Sequence, residues 1–446
     1  MRTWLDFLEQ TTMRWRIFAS GACGALLLPS FFVPSLFSHL LALLAIAPAL
    51  ALIAPLTWWP RYLAGLCFFG AWILPTTTWY YRIFPWWLAL LASVGYVTLI
   101  ALAFALPALF RRRLVIRDLA FTVIPWALLE SVRLYAPVTQ DWWIPHLANT
   151  QWLNPLIVRA ATWGGIPTVI VVVLLVSATL AWLAMRPRRH MAIMGVGFVL
   201  GACALYAAAM RTWDFDTPYR VLVVGVQAPP HGGIRANADA SDVQELMRMT
   251  ADAVQSLKYT GQVLFVVWPE NMIAESESVR IGEFARAQGI FLVWNRAESV
   301  PGAPDRPANT AVYSGADAPN AAVQVLAWKR HAAPSEQITT GAFSSPLQIV
   351  GHRVVGAICY DLHYPDIGER LRGHHLVLGM IDDDRYGTLL PYLHASDVVY
   401  RAAQHRIPIA TGSTSGPTMA VDRFGVVRAG PLPIGVRGVM ASELAW

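Results

Sequence analysis

The stretch Val354-Val355-Gly356-Ala357-Ile358-Cys359-Tyr360-Asp361 carries the strongest fold signal in this chain. Its first five residues are uncharged and include β-branched side chains, which is typical of a buried strand. The strand ends at Cys359, and a helix is predicted over 364–372 directly afterwards. A strand-to-helix corner exposes a cysteine to a substrate, and helix amides there lower the pKa of its thiol. The pattern predicts an α/β domain with Cys359 as the nucleophile.

Two further residues stand at the ends of predicted strands. Glu270 follows the apolar run Val263–Val267 and the corner Trp268-Pro269, and Lys329 follows Val323–Trp328. A nucleophilic cysteine needs a base that takes its proton, and it needs a cation that stabilises the developing oxyanion. Glu270 and Lys329 have the chemistry for these two roles.

The surrounding sequence alternates short β-rich runs with amphipathic helices. This alternation predicts an α/β sandwich in which helices cover a mixed sheet. Residues 299–308, which are rich in Pro, Ala and Asp, are predicted to form a surface loop. The predicted strands and helices are 221–226, 241–258, 263–267, 279–288, 290–294, 353–358, 364–372, 375–380, 391–404, 407–410 and 417–421.

The first half of the chain is much more apolar. Seven segments approach the roughly 20 residues that a helix needs to cross a bilayer: 15–32, 34–56, 61–80, 85–110, 115–135, 162–185 and 190–210. We therefore predict a polytopic α-helical membrane domain of about seven spans over 1–211. The α/β domain follows over 212–446.

Charge separates the two halves in the same way. Residues 1–211 hold 15 Arg, no Lys and 5 acidic residues, whereas residues 212–446 hold 17 Arg, 2 Lys and 23 acidic residues. The basic character therefore belongs to the apolar half, where it sets orientation in a membrane. The second half has no basic patch interleaved with aromatic residues, which argues against a nucleic-acid partner.

Cysteine usage isolates one thiol. Cys23, Cys67 and Cys203 lie in apolar segments, where a thiol behaves as a small hydrophobic group. Cys359 is the one cysteine of the polar half, so an internal disulfide is excluded there.

The three strand-end residues resemble the Glu–Lys–Cys triad of the carbon-nitrogen hydrolase (nitrilase) superfamily. The preceding apolar segments make the chain similar to its membrane-bound branch, the apolipoprotein N-acyltransferases. Further matching motifs are Trp268-Pro269-Glu270, Ile358-Cys359-Tyr360-Asp361, Asp383-Asp384-Arg385-Tyr386-Gly387, Tyr392-Leu393-His394, Tyr400-Arg401-Ala402-Ala403-Gln404 and Asp422-Arg423-Phe424-Gly425.

The resemblance implies an α-β-β-α sandwich and a thioester acyl-enzyme on Cys359, without a metal or an organic cofactor. It implies a phospholipid acyl donor and an amine acceptor on a lipoprotein. It also implies a bacterial inner membrane location with the catalytic domain on the periplasmic side. His374-His375 and Asp382–Asp384 show no complementary ligand spacing, so the sequence predicts no metal site.

Departures from the branch concern the residues around the triad. The loop after Lys329 is one residue shorter, and Glu336 is expected to be the second glutamate of the family. Asp361 stands where the branch has Glu, and Arg385 stands where it has Trp. The branch also ends in a further span, whereas this chain stops at Trp446.

We expect Glu336 and Asp361 to support the triad, and Arg385, Tyr386 and His394 to contact substrate. An arginine at 385 would pair with a phosphate or carboxylate, or with the neighbouring aspartates.

Two other functions remain open from sequence. The chain also resembles the TraB-like proteins of conjugal transfer, which would make it an amidase or acyltransferase acting on a pilin-like or other envelope peptide. The third alternative is a non-catalytic scaffold in an envelope assembly, which the complete triad opposes.

Membrane orientation gives the first prediction. With the N-terminus inside, the cytoplasmic side receives 11 Arg and the opposite side 3, and positive charge is retained inside. A topology reporter fused after Pro218 should therefore be active outside the cytoplasm, and one fused after Arg113 inside it. A cytoplasmic signal from fusions in the second half would refute this orientation.

Overall fold

The computed structural model of the chain describes residues 12–110, 115–185, 220–228, 240–257, 263–270, 273–315, 317, 323–334, 336–341 and 347–446. The chain divides into two compact units, Met1–Asp216 and Thr217–Trp446. The predicted boundary between residues 211 and 212 lies outside the described residues and stays a prediction.

The first unit is helical throughout its described part. Short 3-10 helices join the α-helices at Thr78–Arg82, Leu106–Phe110 and Leu147–Thr150. The α-helices are α1 Met13–Ala25, α2 Pro29–Phe32, α3 Leu36–Ile53, α4 Trp58–Thr76, α5 Trp86–Ile100, α6 Leu102–Ala105, α7 Val115–Tyr135, α8 Pro137–Gln140, α9 Pro155–Val158 and α10 Ala161–Ala184, which is kinked at Gly164 and Gly165.

Helices in the described residues cover six of the seven predicted apolar segments. In this described part of the chain, four stretches are long and apolar enough to cross a membrane: Met13–Phe32, Leu36–Ile53, Trp86–Leu109 and Ala161–Ala184. The segment 190–210 lies outside the described residues. The first unit therefore has the composition of a membrane domain, and the number of spans stays a prediction.

The second unit contains one continuous sheet with helices against it. Its helices are α11 Ala240–Ser256, α12 Ser278–Gln288, α13 Ile367–Leu371 and α14 Leu390–His405. Its strands are β1 Arg220–Ala228, β2 Leu264–Val267, β3 Ile273–Ala274, β4 Phe291–Val300, β5 Ala303–Gly315, β6 Gln324–Trp328, β7 Leu347–Ile349, β8 His352–Ile358, β9 Leu376–Asp382, β10 Ile409–Thr414, β11 Ala420–Val421, β12 Val427–Ala429 and β13 Gly438–Ala445.

The strand order along the sheet is β6-β5-β4-β2-β1-β10-β9-β8-β7. The pairs β4-β2, β2-β1, β1-β10, β10-β9 and β9-β8 are parallel, whereas the two ends of the order are antiparallel.

The two halves of the sheet face each other. Strand β8 contacts β5 and β6, although it is distant from both in the strand order. At Gly356 in β8, an added Cβ would lie 2.7 Å from the Cβ of Ala311, so a glycine permits this approach. Helices α11 and α12 pack on one outer face around Val266 and Trp294, and α14 contacts β10 of the other half. The predicted fold class, a helical region of membrane-type composition followed by an α/β sandwich, is confirmed at this level.

One local prediction is wrong, and another is confirmed only in part. Residues 299–308 do not form a loop, because β4 and β5 extend through them as a hairpin with a turn at residues 301 and 302. The pairing of Val300 with Ala303 outweighs the turn-forming composition. The helix predicted over 364–372 is present only as the short helix α13, Ile367–Leu371, and a 3-10 turn at Cys359–Leu362 precedes it.

Gly412 lies where β10 approaches the end of β2. An added Cβ would sit 2.3 Å from the carbonyl oxygen of Val267 and 2.8 Å from the carbonyl carbon of Trp268. Backbone atoms cannot yield as a flexible side chain can. We expect Gly412→Ala to lower the free energy of unfolding by about 1–3 kcal/mol in thermal or urea unfolding of the full chain in detergent.

Gly438→Ala is the matched control for this strand contact. Its added Cβ would meet the terminal Cδ1 of Leu432 at 3.2 Å, and that side chain can rotate away. Equal losses from the two substitutions would contradict the account of the β2–β10 contact.

Candidate active site

Cys359 begins a sharp turn at the end of β8. Its φ of 43° lies in the left-handed region, which costs a residue with a side chain roughly 1–2 kcal/mol. The side chain is buried, and Sγ lies 3.8 Å from the carbonyl oxygen of Asp382, to which it donates. Backbone strain of this kind clusters at active sites.

Glu270 lies three residues beyond the end of β2. Its Oε1 accepts hydrogen bonds from Asn309 Nδ2 at 2.6 Å and from Lys329 Nζ at 2.7 Å. Its Oε2 is buried and accepts no hydrogen bond from the residues that the structure describes. The Cys359 thiol interacts with the same carboxylate. One oxygen is thus held in place while the other is available for a proton.

Lys329 follows β6 and is completely buried. Its amide donates to the Asn309 carbonyl at 2.8 Å, and Nζ also contacts Glu336 Oε1 at 2.6 Å. Two carboxylates therefore surround one ammonium.

Burial and charge set the protonation states of these groups. Burial raises the pKa of the Cys359 thiol well above its ordinary value, Glu270 raises it further, and Lys329 opposes them. Burial also raises the pKa of Glu270 against the opposing charge of Lys329. For Lys329, burial lowers the pKa, but Glu270 and Glu336 outweigh it and leave the pKa well above normal. The site holds a protonated lysine and a protonated thiol.

The predicted lowering of the Cys359 pKa by helix amides is therefore not found. A single 3-10 turn follows the cysteine instead of a long helix. Its reactivity has to come from transfer of the thiol proton to a base.

Asp361 fixes the backbone that follows Lys329. Its carboxylate accepts from the amides of Arg330 and His331, at 3.0 and 2.8 Å, and from Arg370 Nη1 at 2.8 Å. Glu336 similarly accepts from the amide of Ala333 at 2.8 Å through Oε2. Both predicted supporting residues therefore lie next to the triad, on opposite sides of the lysine loop.

The three predicted substrate contacts are placed differently. His394 is fully buried, with Nε2 3.1 Å from the Cys359 carbonyl oxygen. Tyr386 is also buried, within the 3-10 helix Asp384–Tyr386. The side chain of Arg385 lies outside the described part of the structure, so its contact with an anion stays a prediction.

Asn309 and Asp383 were missed by sequence reasoning. Asn309 supports Glu270 with its side chain and Lys329 with its carbonyl, and Asn295 donates to its side chain from the paired strand. The available signal was a pair of asparagines in apolar strand sequence, since a buried amide needs a specific partner.

Three of the described residues bring possible metal ligands together. Ligand atoms of Cys359, Asp383 and His394 lie within 4.8 Å of one another. Both ring nitrogens of His394 already face oxygen acceptors, at 3.2 Å on Asp383 and 3.1 Å on the Cys359 carbonyl. Coordination of a metal by either ring nitrogen would replace one of these two hydrogen bonds.

The two units define the chain as a helical unit of membrane-type composition followed by an α/β sandwich domain. Residues 23–179 match the family described as the apolipoprotein N-acyltransferase N-terminal domain. The helical unit is therefore similar to this domain, which confirms the resemblance found from the sequence. No curated protein matches the chain by sequence.

Solved structures similar to the chain include three nitrilase-type proteins. One is an amidase from Nesterenkonia sp. with the acetamide moiety of fluoroacetamide added covalently at its active site cysteine. Its sequence identity to this chain is 20% and its TM-score is 0.36, and the match covers 51% of this chain and 91% of the amidase. Saccharomyces cerevisiae Nit3 is 18% identical with a TM-score of 0.40, and the match covers 51% of this chain and 91% of Nit3. A carbon-nitrogen hydrolase from Helicobacter pylori is 13% identical with a TM-score of 0.38, and the match covers 51% of this chain and 89% of the hydrolase.

Lys329→Met gives a prediction about pH. Without the ammonium, the carboxylates of Glu270 and Glu336 face each other in a buried site. Removing one partner of a buried ion pair lowers the free energy of unfolding by about 3–5 kcal/mol, and we expect a loss of this size at neutral pH. The folded-state pKa of Glu270, already raised, rises further, whereas the unfolded value does not. Stability is therefore lost as pH rises from the unfolded pKa through the folded pKa, and regained on acidification.

This effect can be measured by thermal unfolding of the variant in detergent between pH 4 and pH 8. The range spans roughly the ordinary and the raised pKa values of carboxyl groups. Arg330→Met, beside the site but partly exposed, is the control. If Lys329→Met lowers the thermal stability by the same amount at every pH, the explanation by uncompensated carboxylates is contradicted.

Proposed function

We propose that this protein is a membrane-embedded acyltransferase that forms a thioester on Cys359. The observation that carries the proposal is the Glu270 carboxylate, buried beside the Cys359 thiol, with one oxygen held by Lys329 and the other without a hydrogen bond among the described residues. A base, a cation and a thiol in contact are the parts that covalent acyl transfer requires.

The first half-reaction uses the free oxygen of Glu270. The thiol proton moves to Oε2, and the thiolate forms a bond to the ester carbonyl carbon of the donor. Negative charge develops on the carbonyl oxygen, where the Lys329 ammonium stabilises it. As the carbon–oxygen ester bond breaks, the proton on Glu270 passes to the leaving alkoxide. A lysophospholipid and an acyl thioester result.

The second half-reaction reverses the proton path. A neutral amine attacks the thioester carbonyl and gives a proton to Glu270, an amide forms, and the carbon–sulfur bond breaks. The departing thiolate takes the proton back from Glu270, which restores the starting state. Water in place of the amine would give hydrolysis by the same steps.

The helical unit supports a lipid as the donor. It is similar to the N-acyltransferase N-terminal domain and has four stretches able to cross a bilayer in the described residues. We propose a phospholipid donor and, as acceptor, the amine of a lipoprotein or a pilin-like peptide, at the periplasmic face of a bacterial inner membrane.

Mass spectrometry of the intact protein provides the test. After incubation with phospholipid vesicles and no acceptor, the wild type should carry an acyl adduct on Cys359. Cys359→Ala should carry none. Lys329→Arg should lose most of it, because a planar guanidinium is wider than an ammonium and would misplace its donors. Cys67→Ala, which removes an exposed thiol of α4, should leave the adduct unchanged.

An amine acceptor should then discharge the adduct as an amide. Discharge that yields only free fatty acid would indicate a hydrolase. Wild-type protein that forms no adduct with phospholipid or with a short-chain activated ester would refute acyl transfer and favour a scaffold.

A further inference from the structure

A second buried pair lies behind the nucleophile. The imidazole of His394, on α14, contacts both carboxylate oxygens of Asp383 through Nδ1 at 3.2 Å, and the Cys359 carbonyl oxygen through Nε2 at 3.1 Å. His394 and Asp383 are both buried. The reaction described above uses neither of them.

Hydrogen-bond chemistry determines the protons of this pair. A carboxylate oxygen and a carbonyl oxygen are both acceptors, so each of the two bonds needs its own N–H. A neutral imidazole has one N–H and could satisfy only one of them. The ring therefore carries protons on both nitrogens, and Asp383 balances its charge.

We propose that Asp383 holds His394 as an imidazolium, which fixes the left-handed turn of Cys359 by binding its carbonyl oxygen. His394 is thus a positioning residue that acts through the backbone of the nucleophile. The inference rests on the proposed function, because it concerns the same cysteine.

The geometry of the turn supports this role. Cys359 has a φ of 43°, and its conformation persists only if surrounding contacts hold it. The carbonyl of Cys359 is one of the groups that this rotation redirects, and a charged donor binds it from a different element of the fold. Charge-assisted hydrogen bonds are stronger than neutral ones.

The charge balance of the site depends on the pair. Burial lowers the pKa of His394, but Asp383 and then Asp397 outweigh it, so the pKa is raised. The thiol itself faces Glu270, Lys329, Asp383 and Glu336, and Asp383 disfavours its thiolate. If His394 lost its charge while Asp383 kept its own, the thiolate would be more difficult to form.

Alkylation of Cys359 by iodoacetamide tests the proposal without acyl transfer. The thiolate forms a bond to the methylene carbon, and iodide leaves. In a background with Cys23, Cys67 and Cys203 replaced by Ala, Cys359 is the one thiol present. Its alkylation rate at fixed pH follows the thiolate fraction, so this test can succeed even if the protein does not transfer acyl groups.

His394→Gln keeps a donor near Nε2 but leaves Asp383 without a counter-charge. We expect alkylation to slow by about tenfold or more, because a nearby like charge moves a pKa by one unit or more. The double variant Asp383→Asn with His394→Gln restores neutrality and a donor for each bond, so it should recover to within about threefold of the starting protein. His375→Gln, whose ring stacks on Trp446 outside the site, is the control and should not change the rate.

A double variant as slow as His394→Gln would overturn the proposal, since a purely packing role predicts that two changes are at least as harmful as one. Full reactivity in His394→Gln would overturn it as well. If His394→Gln alone does not fold, as judged by its thermal transition, the double variant decides: recovery supports the charge pair, and slow alkylation refutes it.

Discussion

The site depends on keeping one ammonium charged inside the protein. Lys329 is completely buried, and a buried ammonium without partners would lose its proton. Glu270 and Glu336 prevent this, at 2.7 and 2.6 Å from Nζ. The charge of Lys329 in turn keeps Glu270 in place as a base. Removal of Lys329 would leave two neighbouring carboxylates without a counter-charge, so the positions of Glu270 and Glu336 depend on the ammonium between them.

This constraint explains why the sheet has to fold against itself. Glu270, Lys329 and Cys359 follow β2, β6 and β8, which are not neighbours in the strand order. They meet because β8 contacts β5 and β6 across the sandwich. Asn309, in β5, links two of these strand ends, since its side chain binds Glu270 and its carbonyl binds the amide of Lys329.

Local sequence patterns predict the strands and the polar residues at or near their ends. Cys359 and Glu270 could be singled out because each comes at, or a few residues after, the end of a buried strand. Asn309, Asp383 and the buried position of His394 were not found, because they depend on contacts between distant elements. The loop expected at 299–308 is a hairpin because strand pairing, which a local pattern does not contain, determines its backbone. The altered lysine loop still brings Glu336 to Lys329.

The proton balance around Cys359 follows from these contacts. Burial and Glu270 favour the thiol over the thiolate, so the resting cysteine is a weak nucleophile. Glu270 has a raised pKa and an oxygen without a hydrogen bond among the described contacts, and both features favour it as the acceptor of the thiol proton. The His394 imidazolium cancels the charge of Asp383 on the other side of the cysteine. Transfer of the thiol proton to Glu270 is therefore the step that these contacts prepare, and it is the step from which the proposed acyl transfer begins.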